Sequence, residues 1–321
     1  MNLYTDISAL PAFRNPVVTI GTFDGVHLGH QLIIRKLKEE ARGHGGESVL
    51  VTFDPHPRKI VSHKPLQLIN TLPEKVTLLR AQGIDNLVVV PFTQAFSSQP
   101  ATAYAEDFLM GKFRPHTVII GYDHRFGKGR EGDFKLLEAY AANGSFKLIE
   151  IPVHLVDEAA ISSTKIREHL LQGKTAEARR LLGYTYFFSG IVVTGNQLGR
   201  TIGFPTANLQ PETEDKLIPG NGVYAVTVNV MPPGTDRSEE PSSTTSFGGM
   251  MNIGVRPTVG GIQRVIEVNL FNFNQDIYGQ RLKVTLGQWL RPEIKFNGLD
   301  ALQQQLAKDR EAAAAFLATA R

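Results

Sequence analysis

Residues 21–30 read Gly-Thr-Phe-Asp-Gly-Val-His-Leu-Gly-His, and this stretch decides the fold of the first half of the chain. It directly follows the run Val-Val-Thr-Ile of residues 17–20, which is typical of a strand buried on both faces of a sheet. Beyond it, Ile33, Leu37 and Ala41 recur every four residues, which predicts an amphipathic helix. The stretch is therefore a glycine-rich turn from a buried strand into a helix.

The composition of this turn favours a phosphate ligand. Its three glycines let the backbone approach a ligand closely, and the N–H groups and dipole of a helix N-terminus attract phosphate. His27 and His30 are three residues apart, so both imidazoles can face the same ligand and stabilise charge on an α-phosphorus and a leaving pyrophosphate. A glycine turn with two surface histidines is the structural alternative. A zinc site is disfavoured because no third ligand has a suitable spacing.

The rest of the first half alternates β-rich runs with helical patterns. Further strands are predicted at residues 49–53, 87–90, 118–120 and 148–151, and helices at residues 72–83, 101–111 and 133–143. This order predicts a parallel, doubly wound sheet. Residues 162–182 then have the pattern of two short helices broken at Gly173.

The periodicity changes near residue 184, where short strands separated by Gly- and Pro-rich turns begin. They are predicted at residues 186–193, 223–230, 249–253, 265–271 and 282–290, which favours an antiparallel barrel or sandwich. The polar residues 231–247 are predicted to be a hairpin loop, and residues 298–310 and 311–321 to be helical. A chain of 321 residues exceeds the usual size of one core, so two domains are predicted, residues 1–183 and 184–321.

Composition excludes several classes of protein. The chain has no cysteine, which excludes disulfides, thiolate catalysis and Cys-type zinc sites. A net charge of +3, scattered along the chain, does not indicate a nucleic-acid partner. No apolar run is long enough for a membrane span, and the N-terminus lacks the pattern of a secretory signal. We therefore expect a cytoplasmic enzyme with small-molecule substrates, monomeric or weakly self-associating.

Two further segments carry side chains suited to phosphate. Ser162, Ser163 and Thr164 lie at a predicted helix start, where hydroxyls cap the helix and can hold phosphate oxygens, and Arg167 follows one turn later. In the second half, Pro-Thr-Ala-Asn at residues 205–208 places Thr206 and Asn208 two apart, on one side of an extended backbone, where both can bind Mg²⁺ through oxygen. An N-cap and an ordinary turn are the structural alternatives.

The glycine-rich segment at residues 195–201 is not a nucleotide-binding P-loop. It has three residues between its glycines where that motif has four, and Arg200 stands where the motif has lysine. We also expect no helix after it, whereas a P-loop opens one.

The first-half motifs resemble the FAD-synthetase branch of the nucleotidylyltransferase superfamily. The resemblance rests on residues 21–30, on Thr-Phe-Asp-Pro-His-Pro-Arg at residues 52–58, and on Gly-Tyr-Asp-His-Arg-Phe-Gly-Lys-Gly at residues 121–129, with the Ser-Ser-Thr-x-x-Arg segment. It implies catalytic His27 and His30. The implied ATP contacts are Gly21, Thr22, Phe23, Asp24, Asp123, Arg125, Ser162, Ser163, Thr164 and Arg167, and the implied FMN contacts are Asp54, His56 and Arg58. His124 stands where the family has an aromatic residue such as Phe.

The second-half motifs resemble the riboflavin kinase family. They include Gly-Arg-Thr-Ile-Gly-Phe-Pro-Thr-Ala-Asn at residues 199–208, Asn-Ile-Gly-Val-Arg-Pro-Thr at residues 252–258 and Ile-Glu-Val-Asn-Leu-Phe at residues 266–271. The resemblance implies ATP–Mg²⁺ contacts at Gly199, Arg200, Thr206 and Asn208, with Thr206 and Asn208 as metal ligands, and flavin contacts at Asn252, Arg256 and Arg291. Asn269 and Asn272 depart from the family, which has His and Asp there.

Glu267 is the expected general base of the kinase half. It is the one carboxylate in an otherwise apolar strand, and in a cleft it can accept the proton of the ribityl hydroxyl as that oxygen attacks the γ-phosphate. From the pattern alone, a carboxylate on the outer side of a half-exposed strand is the simpler interpretation. The catalytic role is what the family resemblance implies.

Together the two resemblances cover about residues 15–310 and imply a Rossmann-like domain followed by a six-stranded β-barrel with a C-terminal helix. They imply that riboflavin and ATP give FMN, and that FMN and a second ATP give FAD and pyrophosphate, both with Mg²⁺. Two alternatives are open. One is a nucleotidylyltransferase for another acceptor, such as a pyridine mononucleotide or phosphopantetheine, with a flavin-binding barrel. The other is a non-catalytic flavin sensor or nucleic-acid-binding protein.

Overall fold

The structure is a computed structural model that describes residues 1–62, 65–151, 161–195, 198–232, 234–235, 245–258 and 261–319. The chain forms two compact units. The first comprises Met1–Leu66 and Leu72–Ser162, and the second comprises Gln67–Thr71 and Ser163–Arg321.

A six-stranded parallel sheet forms the centre of the first unit. Its strands are β1 Asn2–Tyr4, β2 Val17–Ile20, β3 Ser48–Asp54, β4 Asn86–Pro91, β5 Thr117–Gly121 and β6 Lys147–Ile151. They lie in the order β1-β4-β3-β2-β5-β6, and every neighbouring pair is parallel. The predicted parallel, doubly wound sheet is confirmed. Strand β1 was not predicted, because its three residues are partly exposed and lack an apolar run.

Helices cover both faces of this sheet. They are α1 Leu28–Gly43, α2 Pro57–Val61, α3 Leu72–Ala81, α4 Gln94–Ser97, α5 Ala101–Ala103, a π-helix at Tyr104–Phe113, a 3₁₀ turn at Lys128–Arg130, and α6 Phe134–Ala142. Val18 and Val49 belong to one buried apolar cluster, and their neighbours Val17 and Leu50 belong to another. Successive strand residues thus enter opposite cores, which is why these strands are apolar throughout.

The helix predicted at residues 101–111 differs from the observed one. Only Ala101–Ala103 is α-helical, and a wider π-helix follows to Phe113. Tyr104, Phe108 and Phe113 are all buried, at spacings of four and then five residues. A helix with i to i+5 hydrogen bonds brings these spacings to one side, so packing of the aromatic rings favours the wider turn.

A closed six-stranded barrel forms the centre of the second unit, as the family resemblance implied. Its strands are β7 Phe187–Val193, β8 Ala207–Pro211, β9 Gly222–Met231, β10 Ser246–Thr258, β11 Gly261–Leu270 and β12 Arg281–Arg291, in the closed order β10-β11-β8-β7-β12-β9. All neighbouring strands are antiparallel. Alternate residues such as Val226 and Val228 fill the interior.

Helices precede the first strand of the barrel and follow its last strand. Helices α7 Ser163–Leu171 and α8 Thr175–Leu182 are separated at Gly173, whose φ is +72°, which confirms the predicted pair. The C-terminal helix, α10 Leu299–Thr319, packs Ala313 and Phe316 against the outer face of the barrel. It confirms the predicted helical C-terminus as one continuous element.

Three local features of the second unit differ from the predictions or lie outside the structure. Strand β8 was not predicted as a separate strand, because only its five residues are extended. A short helix, α9, occupies Leu198–Thr201 within the glycine-rich segment and was not predicted, and no helix follows it before β8, as expected. Most of the predicted loop at residues 231–247 lies outside the described residues.

Residues Gln67–Thr71, which we call the strap, come from the first half of the sequence but belong to the second unit. Leu68 pairs with Lys216 in a parallel bridge, and the backbone N–H of Leu217 donates to the Leu68 carbonyl at 2.9 Å. The buried Lys216 ammonium donates to the carbonyl of Ile69 at 2.6 Å. Because Ile69 is fully buried in the barrel cluster, the strap is part of that core.

Candidate active sites

The sheet order of the first unit places three of the predicted segments side by side. From β2 the chain proceeds outward through β3 and β4, and then β5 returns to the other side of β2. The turn at residues 21–27 follows β2, the segment at residues 122–129 follows the adjacent β5, and the segment at residues 54–58 lies at the end of β3 on the other side of β2. In open parallel sheets, ligands bind beyond the carboxyl ends of the strands where the order reverses. This edge is therefore the candidate site of the first unit.

The histidine loop (residues 21–30) has an unusual backbone. Phe23, Gly25 and Val26 have φ values of 47°, 91° and 37°, in the left-handed region. Such residues are stable only where the surroundings hold them, and they concentrate at ligand sites. The Phe23 ring is buried and lies 3.0 Å from where a Cβ of Gly21 would stand, so a side chain at residue 21 would press against this ring.

His27 and His30 form a stacked pair at the start of α1. Their ring centroids are 3.6 Å apart with an interplanar angle of 16°. His27 is the N-cap, and its Nδ1 accepts the backbone N–H of His30 at 3.4 Å. In neutral His27 the proton is then on Nε2, where it can donate to a phosphate oxygen. The structure thus brings both predicted catalytic imidazoles to the helix N-terminus.

The environment of His30 holds it neutral. Burial lowers its pKa well below the usual range, and the neighbouring His27 and the positive charge of Lys75 lower it further. Among the described residues, its Nδ1 is buried without a hydrogen-bond partner. A neutral imidazole has one N–H donor, which suits a hydrogen bond to a nucleotide phosphate.

Lys75, on α3, is a site residue that the sequence analysis missed. It is only 6% exposed, and its ammonium donates to the carbonyl of Thr22 at 2.7 Å and to Oγ1 of Thr52 at 3.4 Å. Burial lowers its pKa, and the charges of Asp24 and Asp54 partly oppose that effect. The sequence did carry one signal of a buried lysine, because Lys75 lies next to Val76 and one helical turn from Leu79, on the apolar side of α3.

The segment implied to bind FMN follows β3, next to β2. Asp54 ends β3 and is exposed, as is Arg58. His56 is buried and caps α2, with its Nδ1 accepting the backbone N–H of Arg58 at 3.1 Å. His56 thus has a structural role, and Asp54 and Arg58 present charged groups at the carboxyl edge.

The segment after β5 folds into a closed turn. Phe126 and Gly132 exchange backbone hydrogen bonds of 3.1 and 2.9 Å, and the buried Phe126 ring stacks on Tyr104. Asp123 is exposed, whereas Arg125 forms an ion pair with Asp133 at 2.8 Å. Burial lowers the pKa of His124 to about 4, with a smaller contribution from Arg130. At neutral pH this histidine is therefore an uncharged ring, as the Phe of the family would be.

The Ser-Ser-Thr-x-x-Arg segment lies at the start of α7. Ser162 precedes the helix, Ser163 and Thr164 open it, and Arg167 is one turn further. The Arg167 Nε donates to the carbonyl of Gln67 in the strap at 2.8 Å. The boundary between the two compact units falls inside this segment. Ser162 belongs to the first unit, and Ser163, Thr164 and Arg167 belong to the second.

In the second unit, three predicted kinase residues form a row across adjacent strands. Glu267 on β11 stands directly opposite Asn208 on β8 and Asn252 on β10. Opposed residues share one face of a sheet, with Cβ atoms typically about 4.5–5.5 Å apart. The flanking residues Ile266 and Val268 enter the barrel core, so the row lies on the outer face.

Gly195 lies against Asn208 of this row, and Gly199 lies close to Thr206. A Cβ on Gly195 would lie 2.1 Å from the Asn208 side-chain nitrogen, and a Cβ on Gly199 would lie 2.2 Å from the Phe204 carbonyl and 3.4 Å from Thr206 Oγ1. The backbone therefore passes close to both predicted metal ligands. Residues 196 and 197 of the motif lie outside the described residues, and Arg200 is exposed.

Arg256 contacts the predicted base itself. Its Nη2 donates to Oε1 of Glu267 at 2.7 Å, and the two side chains are 36% and 20% exposed. The structure thus places Arg256, implied as a flavin contact, in an ion pair with Glu267. Two residues before it on the same strand, Gly254 lies against Glu293, because a Cβ there would overlap the Glu293 carboxylate.

Arg291 forms a largely buried ion pair with Asp309. Its Nε and Nη2 donate to the Asp309 carboxylate of α10 at 2.9 and 2.6 Å, and the side chains are 17% and 4% exposed. The pair borders a cavity of about 380 Å³ between β12 and α10 that Trp289 also lines. Arg291, implied as a flavin contact, thus joins strand to helix.

The two asparagines that depart from the family have local roles. Asn269 is buried and its Nδ2 donates to the Pro205 carbonyl at 2.7 Å, which holds the segment leading to Thr206. Asn272 has a φ of 54° at the end of β11, a conformation that Asn and Asp tolerate better than most residues.

The donor set of the kinase row suits a hard cation. In the described part of the chain, no group of three or more His, Cys, Asp or Glu side chains has the arrangement of a metal site. Thr206 and Asn208 instead offer a hydroxyl and an amide oxygen, and such oxygen ligands suit Mg²⁺ alongside water and nucleotide phosphates. A magnesium ion that arrives with ATP therefore fits these residues.

Two family matches divide the chain at the same region as the fold. Residues 10–165 match the FAD synthetase family, and residues 182–317 match the riboflavin kinase family.

None of the described helices has the length and apolar character that crossing a membrane requires.

Curated relatives extend the similarity over nearly the whole chain. A bifunctional riboflavin kinase/FMN adenylyltransferase of Listeria monocytogenes is 38% identical, over 95% of this chain and 93% of its own length. The protein of the same name from Escherichia coli K12 is 37% identical, over 94% and 92%. A crystal structure named Macrolide-efflux Protein, from Streptococcus pneumoniae, has a TM-score of 0.81 and 29% identity over 98% of each chain.

Proposed function

The chain belongs to the family of bifunctional riboflavin kinases/FMN adenylyltransferases, and on this basis we propose which residues perform each reaction. The protein is an enzyme of FAD biosynthesis, with ATP, riboflavin and FMN as substrates. We assign adenylyl transfer to residues 1–183 and riboflavin phosphorylation to residues 184–321. The compact division differs in that it groups residues 163–183 with the barrel.

Adenylyl transfer is assigned to the histidine loop. An oxygen of the FMN phosphate attacks the α-phosphorus of ATP, and the bond from that phosphorus to the bridging oxygen breaks to release pyrophosphate. The N–H groups of His27 and His30 donate to the phosphates as charge builds on them, and the N-terminus of α1 adds its dipole. The stacked pair, with ring centroids 3.6 Å apart, is the observation that carries this assignment.

The nucleotide and flavin of this reaction are assigned to the neighbouring segments. Asp123 contacts the adenosine, and Ser162, Ser163, Thr164 and Arg167 contact the phosphates. Asp54 and Arg58 are exposed beyond β3, next to β2, which supports a contact with FMN. Arg125 is proposed as an ATP contact that exchanges its exposed ion pair with Asp133 for a phosphate.

Riboflavin phosphorylation is assigned to the outer-face row of the barrel. Glu267 accepts the proton of the ribityl hydroxyl as its oxygen attacks the γ-phosphorus, and the bond to the β–γ bridging oxygen breaks to give FMN and ADP. Thr206 and Asn208 hold Mg²⁺, whose charge neutralises the phosphates. The direct opposition of Glu267 and Asn208 carries this assignment, since base and metal ligand need to meet at one phosphate.

The remaining kinase contacts follow from the same row. Gly199 and Arg200 contact the ATP phosphates, and Asn252 contacts the flavin chain beside Glu267. Arg256 is proposed to exchange its ion pair with Glu267 for a substrate contact when substrates bind. We further propose a cytoplasmic enzyme, monomeric or weakly self-associating, without a nucleic-acid partner.

A time course tests the reactions and their order. Purified protein is incubated with riboflavin, ATP and Mg²⁺, and flavins are separated by liquid chromatography. FMN appears first and FAD follows, and chelation of Mg²⁺ stops both steps. FMN without FAD would contradict the first-unit assignment. Turnover of a different mononucleotide acceptor in place of FMN would do the same.

A further inference from the structure

Lys75 is a buried charge for which the reaction chemistry above has no use. It lies on the apolar side of α3 with Val76 and Leu79, and it is 6% exposed. A buried ammonium is unfavourable unless hydrogen bonds and opposite charges compensate it. The compensating groups here all belong to the carboxyl edge of the sheet, which connects Lys75 with the candidate site.

The hydrogen bonds of Lys75 join two neighbouring strand ends. Its ammonium donates to the carbonyl of Thr22, directly after β2, at 2.7 Å, and to Oγ1 of Thr52 on β3 at 3.4 Å. Thr52 Oγ1 itself donates to the same Thr22 carbonyl at 3.1 Å. Thr22 precedes Phe23, the first left-handed residue of the histidine loop. The ammonium thus holds the loop at the point where its irregular backbone begins.

We propose that Lys75 is a positioning residue for adenylyl transfer: its ammonium fixes the histidine loop through Thr22 and so determines where His27 and His30 meet the phosphates. This inference rests on the proposed role of the two histidines. No substrate contact is assigned to Lys75, and its effect passes through the loop.

The charge of Lys75 has a second effect on the same pair. The groups that face His30 are the stacked His27 ring at 3.6 Å, the Phe23 ring at 5.0 Å and the ammonium of Lys75, which itself faces the carboxylates of Asp24 and Asp54. After burial and His27, the ammonium is the third cause that lowers the pKa of His30. Its removal therefore raises that pKa, whereas a merely structural lysine would leave it unchanged.

The test compares Lys75→Met with Lys75→Arg and with Lys38→Met. Lys38 is a matched control, because its ammonium also donates to a backbone carbonyl, that of Gln82 at 2.5 Å, away from the loop. For Lys75→Met we expect kcat of FMN adenylylation to fall on the order of 10²-fold, the usual effect of displacing a catalytic group by about 1 Å. Riboflavin phosphorylation by the same molecules stays unchanged, and Lys38→Met changes neither activity.

The second readout is the titration of His30 by NMR, with its imidazole resonance assigned by its loss in His30→Ala. The pKa of His30 rises in Lys75→Met and stays low in Lys75→Arg, which keeps the charge. Circular dichroism and the midpoint of thermal unfolding verify that the first unit is folded. Wild-type kcat in Lys75→Met overturns the inference, and so does a loss of kcat with an unmoved His30 titration.

His30→Ala separates this inference from the assignment on which it rests. If His30→Ala retains adenylyl transfer, the proposed role of the histidine loop is wrong. If His30→Ala loses adenylyl transfer and Lys75→Met does not, the loop assignment stands and only the role of Lys75 is wrong.

Discussion

Asn208 and Glu267 stand directly opposite each other on the antiparallel strands β8 and β11, on the outer face of the barrel. Their neighbours Ala207 and Val268 form the adjacent pair and enter the barrel core. The alternation that builds the core therefore also sets an amide beside a carboxylate outside it. A one-residue shift of either strand would turn its polar side chain toward the core, so the register that builds the core also specifies this site.

The first prediction concerns the carboxylate of this pair. Glu267→Gln keeps the shape of the side chain and removes the proton acceptor, so we expect riboflavin phosphorylation to fall roughly 10²–10⁴-fold. FMN adenylylation, measured with added FMN, stays at the wild-type level. Equal loss of both activities would mean that the assignment of the reactions to the two halves is wrong.

The second prediction concerns the close approach of the backbone to Asn208. A Cβ at Gly195 would lie 2.1 Å from the Asn208 side-chain nitrogen, so Gly195→Ala displaces Asn208, a proposed metal ligand. We expect kcat of phosphorylation to fall by on the order of 10²-fold and the Mg²⁺ concentration for half-maximal rate to rise. Gly43→Ala is the matched control, because no atom lies within 4 Å of a Cβ there. Wild-type kinase activity in Gly195→Ala would contradict the proposed metal site.

The third prediction concerns the stacked histidines. His30→Ala removes one donor to the phosphates, and we expect FMN adenylylation to fall about 10²–10³-fold while phosphorylation is unaffected. Product analysis then shows FMN accumulating from riboflavin in place of FAD. Continued formation of FAD at the normal rate would exclude His30 from the reaction.

The fourth prediction decides between two roles of Arg291. If it joins β12 to α10, Arg291→Met and Asp309→Asn each leave a buried group unpaired, and each lowers the free energy of unfolding by about 3 kcal/mol. If Arg291 also binds flavin, only Arg291→Met raises the riboflavin KM. Denaturant unfolding is followed by the fluorescence of Trp289, the single tryptophan, which reports the second unit. Unchanged stability in both variants would show that the pair is not structural.

The fifth prediction concerns pH. The pKa of His124 is lowered to about 4 in the folded chain, whereas an unfolded histidine titrates near ~6.5. Between these values the unfolded chain binds a proton that the folded chain does not, so stability falls as the pH falls. His30, also lowered, acts in the same direction.

His124→Phe removes one of these two contributions. We expect its free energy of unfolding to fall less than that of the wild type between pH 7 and pH 5, by roughly 1–2 kcal/mol. Trp289 lies in the second unit, so an unfolding transition that circular dichroism detects and Trp289 fluorescence does not is that of the first unit. Identical pH dependence in the two proteins would refute the lowered pKa of His124.

Much of this architecture was predictable because its signals are local. The strand at residues 17–20 enters two cores at once, so it is apolar at every position, and the glycines and histidines that follow it are contiguous in the sequence. The π-helix was not predictable, since its turn is set by ring packing among Tyr104, Phe108 and Phe113.

The partners of charged residues were also beyond sequence reasoning. Arg256 and Arg291 were implied to bind flavin, and their ion pairs with Glu267 and Asp309 come from other elements of the fold. Lys75 is separated from Thr22 by 53 positions, and the local sequence of α3 does not predict that hydrogen bond. Pairing across such separations depends on topology, which motifs do not encode.

The strap has a consequence for synthesis on the ribosome. Ile69 emerges 147 residues before Lys216, whose ammonium its carbonyl accepts in the finished protein. At about 5–20 residues per second, this interval lasts on the order of ten to thirty seconds. During that time a side chain destined for full burial has no barrel to enter. Strands β9 to β12 follow Lys216, so the nascent chain exposes this apolar segment for at least that interval, during which chaperones have access to it.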